Sequence, residues 1–424
     1  MTSITMSSPD MTEAERNAVL DVLRGGSLSL GPRIREFERR FADYVGVRHA
    51  VAVSSGTAAL HLSVIASGVG DNDLVVTSPF SFVASANCVL YERAVPVFVD
   101  VERETGNIDP ALVTAAVDDL ARGTAHGWRW LPRPLRGAST PARTLKAILP
   151  VHAFGQPAEM TPIMAAAERH GLRVIEDACE AVGAEYDGRR AGTLGDMSCF
   201  AFYPNKQMTT GEGGMIATND SRCAAVCASL RNQGRDVFDA WLSHDRLGYN
   251  YRLGELSCAL GLAQLARLDE MLARRGRVAG WYHERLRDIE RLHVPTPAAS
   301  TSRMSWFVYV VRLDSLADRT FAMSALAERG IPSRPYFTPI HLQPFYAERF
   351  GYRRGDFPVA EALGDTSLAL PFSSVMTEDQ IDFVCDELRA ILTASSSFAG
   401  HGRSVFGFRP RIDTYIKKRV NSRE

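Results

Sequence analysis

No stretch of the chain approaches the ~20 consecutive apolar residues that a bilayer-spanning helix needs. The opening MTSITMSSPDMTEAER lacks the basic flank and apolar core of an export signal. Both absences predict a cytoplasmic protein. Net charge is missing too: 48 Lys and Arg face 49 Asp and Glu, leaving −1, so no whole-molecule field favours nucleic acid or an anionic membrane. Cysteines number only 7, an odd count with no C-x-x-C pair. That fits neither a disulfide framework nor a zinc cage and predicts reduced, mostly buried thiols. Neither a G-x-x-x-x-G-K-[ST] loop nor a G-x-G-x-x-G turn occurs, so nucleoside triphosphate and dinucleotide readings lack their motifs. What remains is a globular composition, 46% hydrophobic and 23% charged over 424 residues, with room for two domains or one large one.

From residue 48 onward, short β-rich runs (AVAVS, LVVTS, VPVFVD, AILPV, RVIED, SCFAF, GMIAT) mostly alternate with helix-length segments. This predicts an α/β domain with a seven-stranded, mostly parallel sheet covered by helices. Only YPNKQMTTGEG separates SCFAF from GMIAT, too little chain for a helical crossover, so these two strands are expected antiparallel and the sheet mixed. Residues 255–275 carry an apolar helical stripe and predict one long helix leaving the first domain. The expected division is an N-terminal arm and large domain over 1–265, a smaller α+β domain over 266–395, and a flexible basic tail over 396–424. In the smaller domain WFVYVVRL reads as a strand, TFAMSALAERG and EDQIDFVCDELRAIL as helices. Residues 121–145, rich in Arg, Pro and Gly, read as an exposed insertion, with a substrate-phosphate contact as the sharper alternative.

Three segments carry chemistry. In VAVSSGTAALHL a strand runs through Ser54, Ser55, Gly56 and Thr57 straight into an Ala-rich helix. Unpaired amides at such a helix start suit a phosphate, although Ser and Thr also cap helices with no ligand. In RVIEDACEAVGAEY, Asp177 stands at the carboxyl end of an apolar strand, the sheet edge where α/β proteins bind ligands, with Glu180 one turn on; a helix cap is the plainer alternative. In CFAFYPNKQMTTGEGG, Lys206 occupies the short connection between the two antiparallel strands, where desolvation turns a lysine into a nucleophile toward carbonyls. Most lysines are only solvated charges. The ordered combination of phosphate cradle, sheet-end carboxylate and lysine matches the needs of pyridoxal 5′-phosphate: a phosphate site, an acid for the pyridine nitrogen and an amine for the aldehyde.

Through SSGTAALHL, SPFSFVASAN, VIEDACEAVGAEYDG, FYPNKQMTTGEGGMIATND, RNQGR and LGYNYRLGELSCALGLAQL, the chain resembles the DegT/DnrJ/EryC1/StrS family of sugar aminotransferases with the aspartate-aminotransferase (type I) fold, from about residue 10 to 390. The resemblance implies a Schiff base on Lys206, a pyridine-nitrogen contact from Asp177, and phosphate contacts from Gly56 and Thr57. It further implies that Phe82 stacks on the cofactor ring, that Glu180 lies beside the phenolic oxygen, and that Asn250 reaches the phosphate of a partner subunit. A homodimer with shared sites follows. Tyr336 and His341, in RPYFTPIHLQPFY, match the family segment near the sugar, with ordinary packing an equal alternative. Many relatives carry a phosphate-binding serine where this chain has Ala201.

The implied activity is transamination from an amino acid, L-glutamate as in the family, to a keto sugar. That acceptor is expected to be a nucleotide-linked 4-keto-6-deoxy or 3-keto hexose. Alternatives are a keto-cyclitol aminotransferase, a deoxysugar dehydratase (a branch with histidine in place of the lysine) and a non-catalytic regulatory homologue.

Overall fold

A computed structural model describes residues 4–123, 125–137, 143–236 and 243–399, with side chains through 394. Its central element is a seven-stranded sheet built from β1 (His49–Val53), β2 (Leu74–Thr77), β3 (Val95–Phe98), β4 (Leu145–Leu149), β5 (Arg173–Asp177), β6 (Met197–Ala201) and β7 (Gly214–Thr218). The order across the sheet is β1-β7-β6-β5-β4-β2-β3. β7 is antiparallel to both neighbours, while β6, β5, β4, β2 and β3 pair in parallel. The eleven-residue connection therefore forces the reversal that chain length predicts. Strands β2, β3 and β7 are buried along their whole length, as expected for a sheet with helices on both faces.

Two apolar layers flank this sheet. On one face helix Gly56–Ala66 packs with Leu60, Leu62 and Val64 against Val53, Ile175 and Ile216. On another, Phe37 and Phe41 of helix Pro32–Val45 meet Phe200 and Phe202 edge-on or tilted, at centroid distances of 5.1–5.6 Å. Such aromatic pairs add about 0.5–1.5 kcal/mol each beyond area burial.

The expected single helix over 255–275 is instead two. Helix Glu255–Ala266 ends at Arg267, whose φ of −112° and ψ of 5° are not helical, and helix Leu268–Leu286 starts directly after it. Apolar periodicity runs through the break because both helices bury a face, so pattern alone does not register it. Arg267 is held there by Asp10 and Glu15 at 2.9 and 2.8 Å. The second helix spans two cores: Leu268, Met271 and Leu272 pack with the large sheet, Val278, Ala279, Tyr282 and Leu286 with the C-terminal one.

That C-terminal core contains a four-stranded antiparallel sheet (Leu292–His293, Tyr309–Leu313, Ser367–Leu370, Arg334–Pro335) covered by helices Leu316–Glu328 and Glu378–Ala399. Ile4 of the N-terminal arm packs against it. The strand expected from WFVYVVRL begins only at Tyr309, since Trp306 sits at φ 50°. The stretch after 121 is exposed at many of its described positions, as expected, but it is anchored: Trp128, Trp130 and Leu131 pack on the core, and Arg129 and the Trp130 indole both bind Asp119. Residues 124 and 138–142 of that stretch, and 400–424 of the expected tail, lie outside the described residues. All seven cysteines are free and six are buried. Among the described residues no helix is long and apolar enough to cross a membrane, and none groups into a metal site.

Candidate active site

The carboxyl ends of the parallel strands open into a cavity of about 450 Å³, within the usual range for small-molecule sites. Gly56, Thr57, Phe82, Asp177, Glu180, Lys206 and Tyr336 all line it. These residues lie up to 280 positions apart in sequence, and sheet order brings them together: β5 and β6 are adjacent, and helix Gly56–Ala66 packs against β6.

At one wall, helix Gly56–Ala66 begins. The Ser55 hydroxyl accepts the Ala58 amide at 3.1 Å, so the capping alternative holds for Ser55, while the amides of Gly56 and Thr57 remain without an intrachain partner among the described residues. They carry the positive end of the helix. A side chain at 56 has no room: its Cβ would lie 2.6 Å from the Ala201 Cβ and 3.0 Å from the Cys179 Sγ.

Asp177, 5% exposed, ends β5. Its Oδ2 accepts the Ser85 hydroxyl at 2.6 Å and its Oδ1 the Cys179 amide at 3.2 Å. No Lys, Arg or His among the described residues forms an ion pair with it, so a buried carboxylate with only neutral donors faces the cavity and suits a cationic ring nitrogen.

Lys206 enters from the β6–β7 connection. Its Nζ stands 3.5 Å from Glu180 Oε1 and 3.8 Å from the centre of the Phe307 ring, a long ion pair supplemented by a cation–π contact. Burial raises the Glu180 carboxyl above its ordinary range, opposed by Lys206 and by the Phe154 amide, which donates to Oε2 at 2.9 Å. Phe82 is 63% exposed, an apolar ring at the mouth with room to stack on a flat ligand. The buried Oδ1 of Asn205, also lining the cavity, has no hydrogen-bond partner among the described residues.

Two expected residues lie elsewhere. His341 is fully buried, its Nε2 2.9 Å from Glu361 Oε1 and its ring edge-on to Phe357. Burial lowers its pKa despite the acid. His341 therefore lies packed outside the described cavity, the place that the packing alternative gives it, on the short helical turn Ile340–Leu342. Asn250 is exposed and pairs with Asn232 in an isolated bridge, away from this chain's own cavity. Sequence reasoning missed Ser85, Asn205 and Phe307. Only Ser85 left a signal, being one helical turn from Ser81 in SPFSFVAS, and the two hydroxyls stand 2.7 Å apart.

The donor set fits pyridoxal phosphate: helix-start amides for the phosphate, an unpaired buried carboxylate for the pyridine nitrogen and one lysine for the aldehyde, all on one cavity. Fold and site together define a pyridoxal-phosphate-dependent aminotransferase. Residues 9–389 match the DegT/DnrJ/EryC1/StrS aminotransferase family, and the chain belongs to it.

Among relatives, GDP-perosamine synthase of Caulobacter vibrioides is 41% identical, the match covering 92% of this chain and 98% of that protein. Spore coat polysaccharide biosynthesis protein SpsC of Bacillus subtilis is 37% identical over 91% and 96%. An aminotransferase of the same family from Brucella abortus superposes with a TM-score of 0.79 at 31% identity, over 89% of this chain and 95% of that one. DesV of S. venezuelae gives 0.78 at 33%, over 89% and 94%.

Proposed function

We propose that the protein transfers the amino group of an amino acid, L-glutamate, to a keto sugar carried on a nucleotide, a 4-keto-6-deoxy or 3-keto hexose, in amino-deoxysugar biosynthesis. The observation that carries this reading is the convergence of the Lys206 amine, the Asp177 carboxylate and the Gly56–Thr57 helix start on one cavity. The names of two relatives, GDP-perosamine synthase and a spore coat polysaccharide biosynthesis protein, support a sugar acceptor.

Pyridoxal phosphate, when bound, supplies an aldehyde that condenses with amines and a protonated ring that withdraws electrons from the attached carbon. In this reading Gly56 and Thr57 hold its phosphate, Asp177 keeps the ring nitrogen protonated, and Phe82 covers one face. The Lys206 Nζ, once free, takes the proton from the donor's α-carbon and later returns one to the acceptor carbon. Glu180 and the Phe307 ring restrain that amine between the two transfers. Tyr336 closes the side toward the C-terminal core and contacts the sugar.

The site is shared in a homodimer, since Asn250 is exposed and does not line its own cavity, and the protein works in the cytoplasm. The presence of lysine at 206 opposes the dehydratase alternative. The test is to load the aminated cofactor form and offer nucleotide-linked keto sugars and keto cyclitols. Return of the lysine-bound absorbance with a keto-sugar nucleotide is expected; a response to cyclitols alone would refute the acceptor. Lys206→Ala should abolish both that absorbance and turnover, and retention of both would refute the assignment of the nucleophile.

A further inference from the structure

Arg275, in the middle of the helix joining the two cores, is 2% exposed. No carboxylate among the described residues lies within ion-pair distance of it. Burial holds its pKa down to about 10. An unpaired buried guanidinium is costly, so its hydrogen bonds must do something that an apolar residue cannot. They go to three backbone carbonyls in two segments about a hundred residues apart. Nη2 donates to the oxygen of Lys206 at 2.9 Å, and Nη1 to those of Trp306 and Phe307 at 3.2 Å each.

The two segments it ties are the ones that define the environment of the Lys206 amine. Phe307 places its ring 3.8 Å from Nζ, and Trp306 is held at φ 50°, a left-handed conformation that bulky residues avoid and that tends to mark functional sites. On the opposite side the 305–307 segment is fixed by Ser305 and Phe307 amides donating to Gly155 and Phe154 oxygens at 2.9 and 3.0 Å. Phe154, itself at φ 61°, donates its amide to Glu180. The restraint thus forms a ring of contacts from Lys206 through Arg275 to Phe307, Phe154, Glu180 and back to Nζ. A planar guanidinium can serve three separated carbonyls at once, which a lysine ammonium on a flexible stem does poorly.

We propose that Arg275 is a positioning residue that fixes the backbone of Lys206 and the Phe307 ring together, so that the amine is already aimed into the cavity when an aldehyde arrives. This rests on Lys206 being the nucleophile. It predicts a split between covalent capture and non-covalent binding. In capture, Nζ forms a C=N bond to the aldehyde carbon and water leaves; borohydride then delivers hydride to that carbon and fixes the link. Pyridoxamine 5′-phosphate has no aldehyde and reads the rest of the site alone.

The experiment uses the full-length chain freed of cofactor, as wild type, Arg275→Lys and Arg275→Met, with circular dichroism as the check on folding. Two quantities are measured: the rate of pyridoxal phosphate capture by borohydride trapping with peptide mapping, and the equilibrium affinity for pyridoxamine phosphate. The expected result is a capture rate at least about tenfold lower in both variants, with Lys smaller in effect than Met, and affinity for pyridoxamine phosphate within about twofold of wild type. An unchanged capture rate, or capture and affinity falling in parallel as for a merely structural staple, overturns the proposal. If Met does not fold, the Lys variant decides by the same comparison. Trapping in wild type at a residue other than Lys206 would instead overturn the nucleophile, a distinguishable failure.

Discussion

Replacing Asp177 by Asn keeps the size of the side chain but leaves one acceptor oxygen in place of two. Two donors now point at the carboxylate, the Ser85 hydroxyl at 2.6 Å and the Cys179 amide at 3.2 Å. The amide of Cys179 cannot turn, so the Asn oxygen is expected to stay on it and Nδ2 to face Ser85. The Ser85 hydroxyl has an alternative acceptor, the Phe82 carbonyl at 3.2 Å, so the empty protein should lose only about 1 kcal/mol. The loss appears when the cofactor binds, because the charge-assisted hydrogen bond to the ring nitrogen disappears, worth about 1.5–3 kcal/mol. That corresponds to roughly 10- to 150-fold weaker affinity. The amino-donor half-reaction should slow further, by roughly 10²–10³-fold, since charge developing on the ring loses its counter-charge. Fluorescence titration of the full-length chain with pyridoxamine phosphate measures the first effect and stopped-flow absorbance the second. Affinity and half-reaction rate both within about twofold of wild type, in a folded variant, would refute the role assigned to this carboxylate.

Ala201→Ser places a hydroxyl at the cavity wall, the position where the family resemblance implies one; a new phosphate hydrogen bond of about 0.5–1.5 kcal/mol should tighten pyridoxamine phosphate binding by roughly 2- to 13-fold, and unchanged binding would show that the hydroxyl cannot reach. Gly56→Ala should weaken both cofactor binding and stability by about 1–3 kcal/mol, because its Cβ meets Ala201 at 2.6 Å; thermal unfolding with and without cofactor separates the two losses. Glu15 provides a pH prediction. Burial favours its neutral form, but the Thr12 hydroxyl and amide, Gln264 and Arg267 outweigh that and hold its pKa at about 2 against an ordinary 4.5. A depressed carboxylate contributes stability that is complete above pH 4.5 and disappears as pH falls toward 2, here on the order of 3 kcal/mol. Glu15→Gln should therefore be markedly less stable than wild type to urea at pH 7, with the difference shrinking below pH 4.5; a gap independent of pH would contradict the linkage.

Much of this protein was already present in local patterns. The alternation of β-branched runs and helices specified a mostly parallel sheet, and the shortness of YPNKQMTTGEG specified its one reversed strand, because chain length limits how a connection can return. Helix-start glycine, sheet-end aspartate and loop lysine were legible for the same reason: each owes its position to the strand or helix next to it. Tertiary structure decided the rest. It broke the helix at Arg267, through ion pairs to Asp10 and Glu15 that lie over 250 residues away, and it turned His341 inward onto Glu361.

It also supplied Ser85 to Asp177, Phe307 to Lys206 and Arg275 to both segments beside the amine. Those contacts join residues between 31 and 101 positions apart. No spacing rule connects such positions: Ser85 meets Asp177 through the packing of the large sheet, and Phe307 and Arg275 meet Lys206 only where the two cores pack across a shared helix.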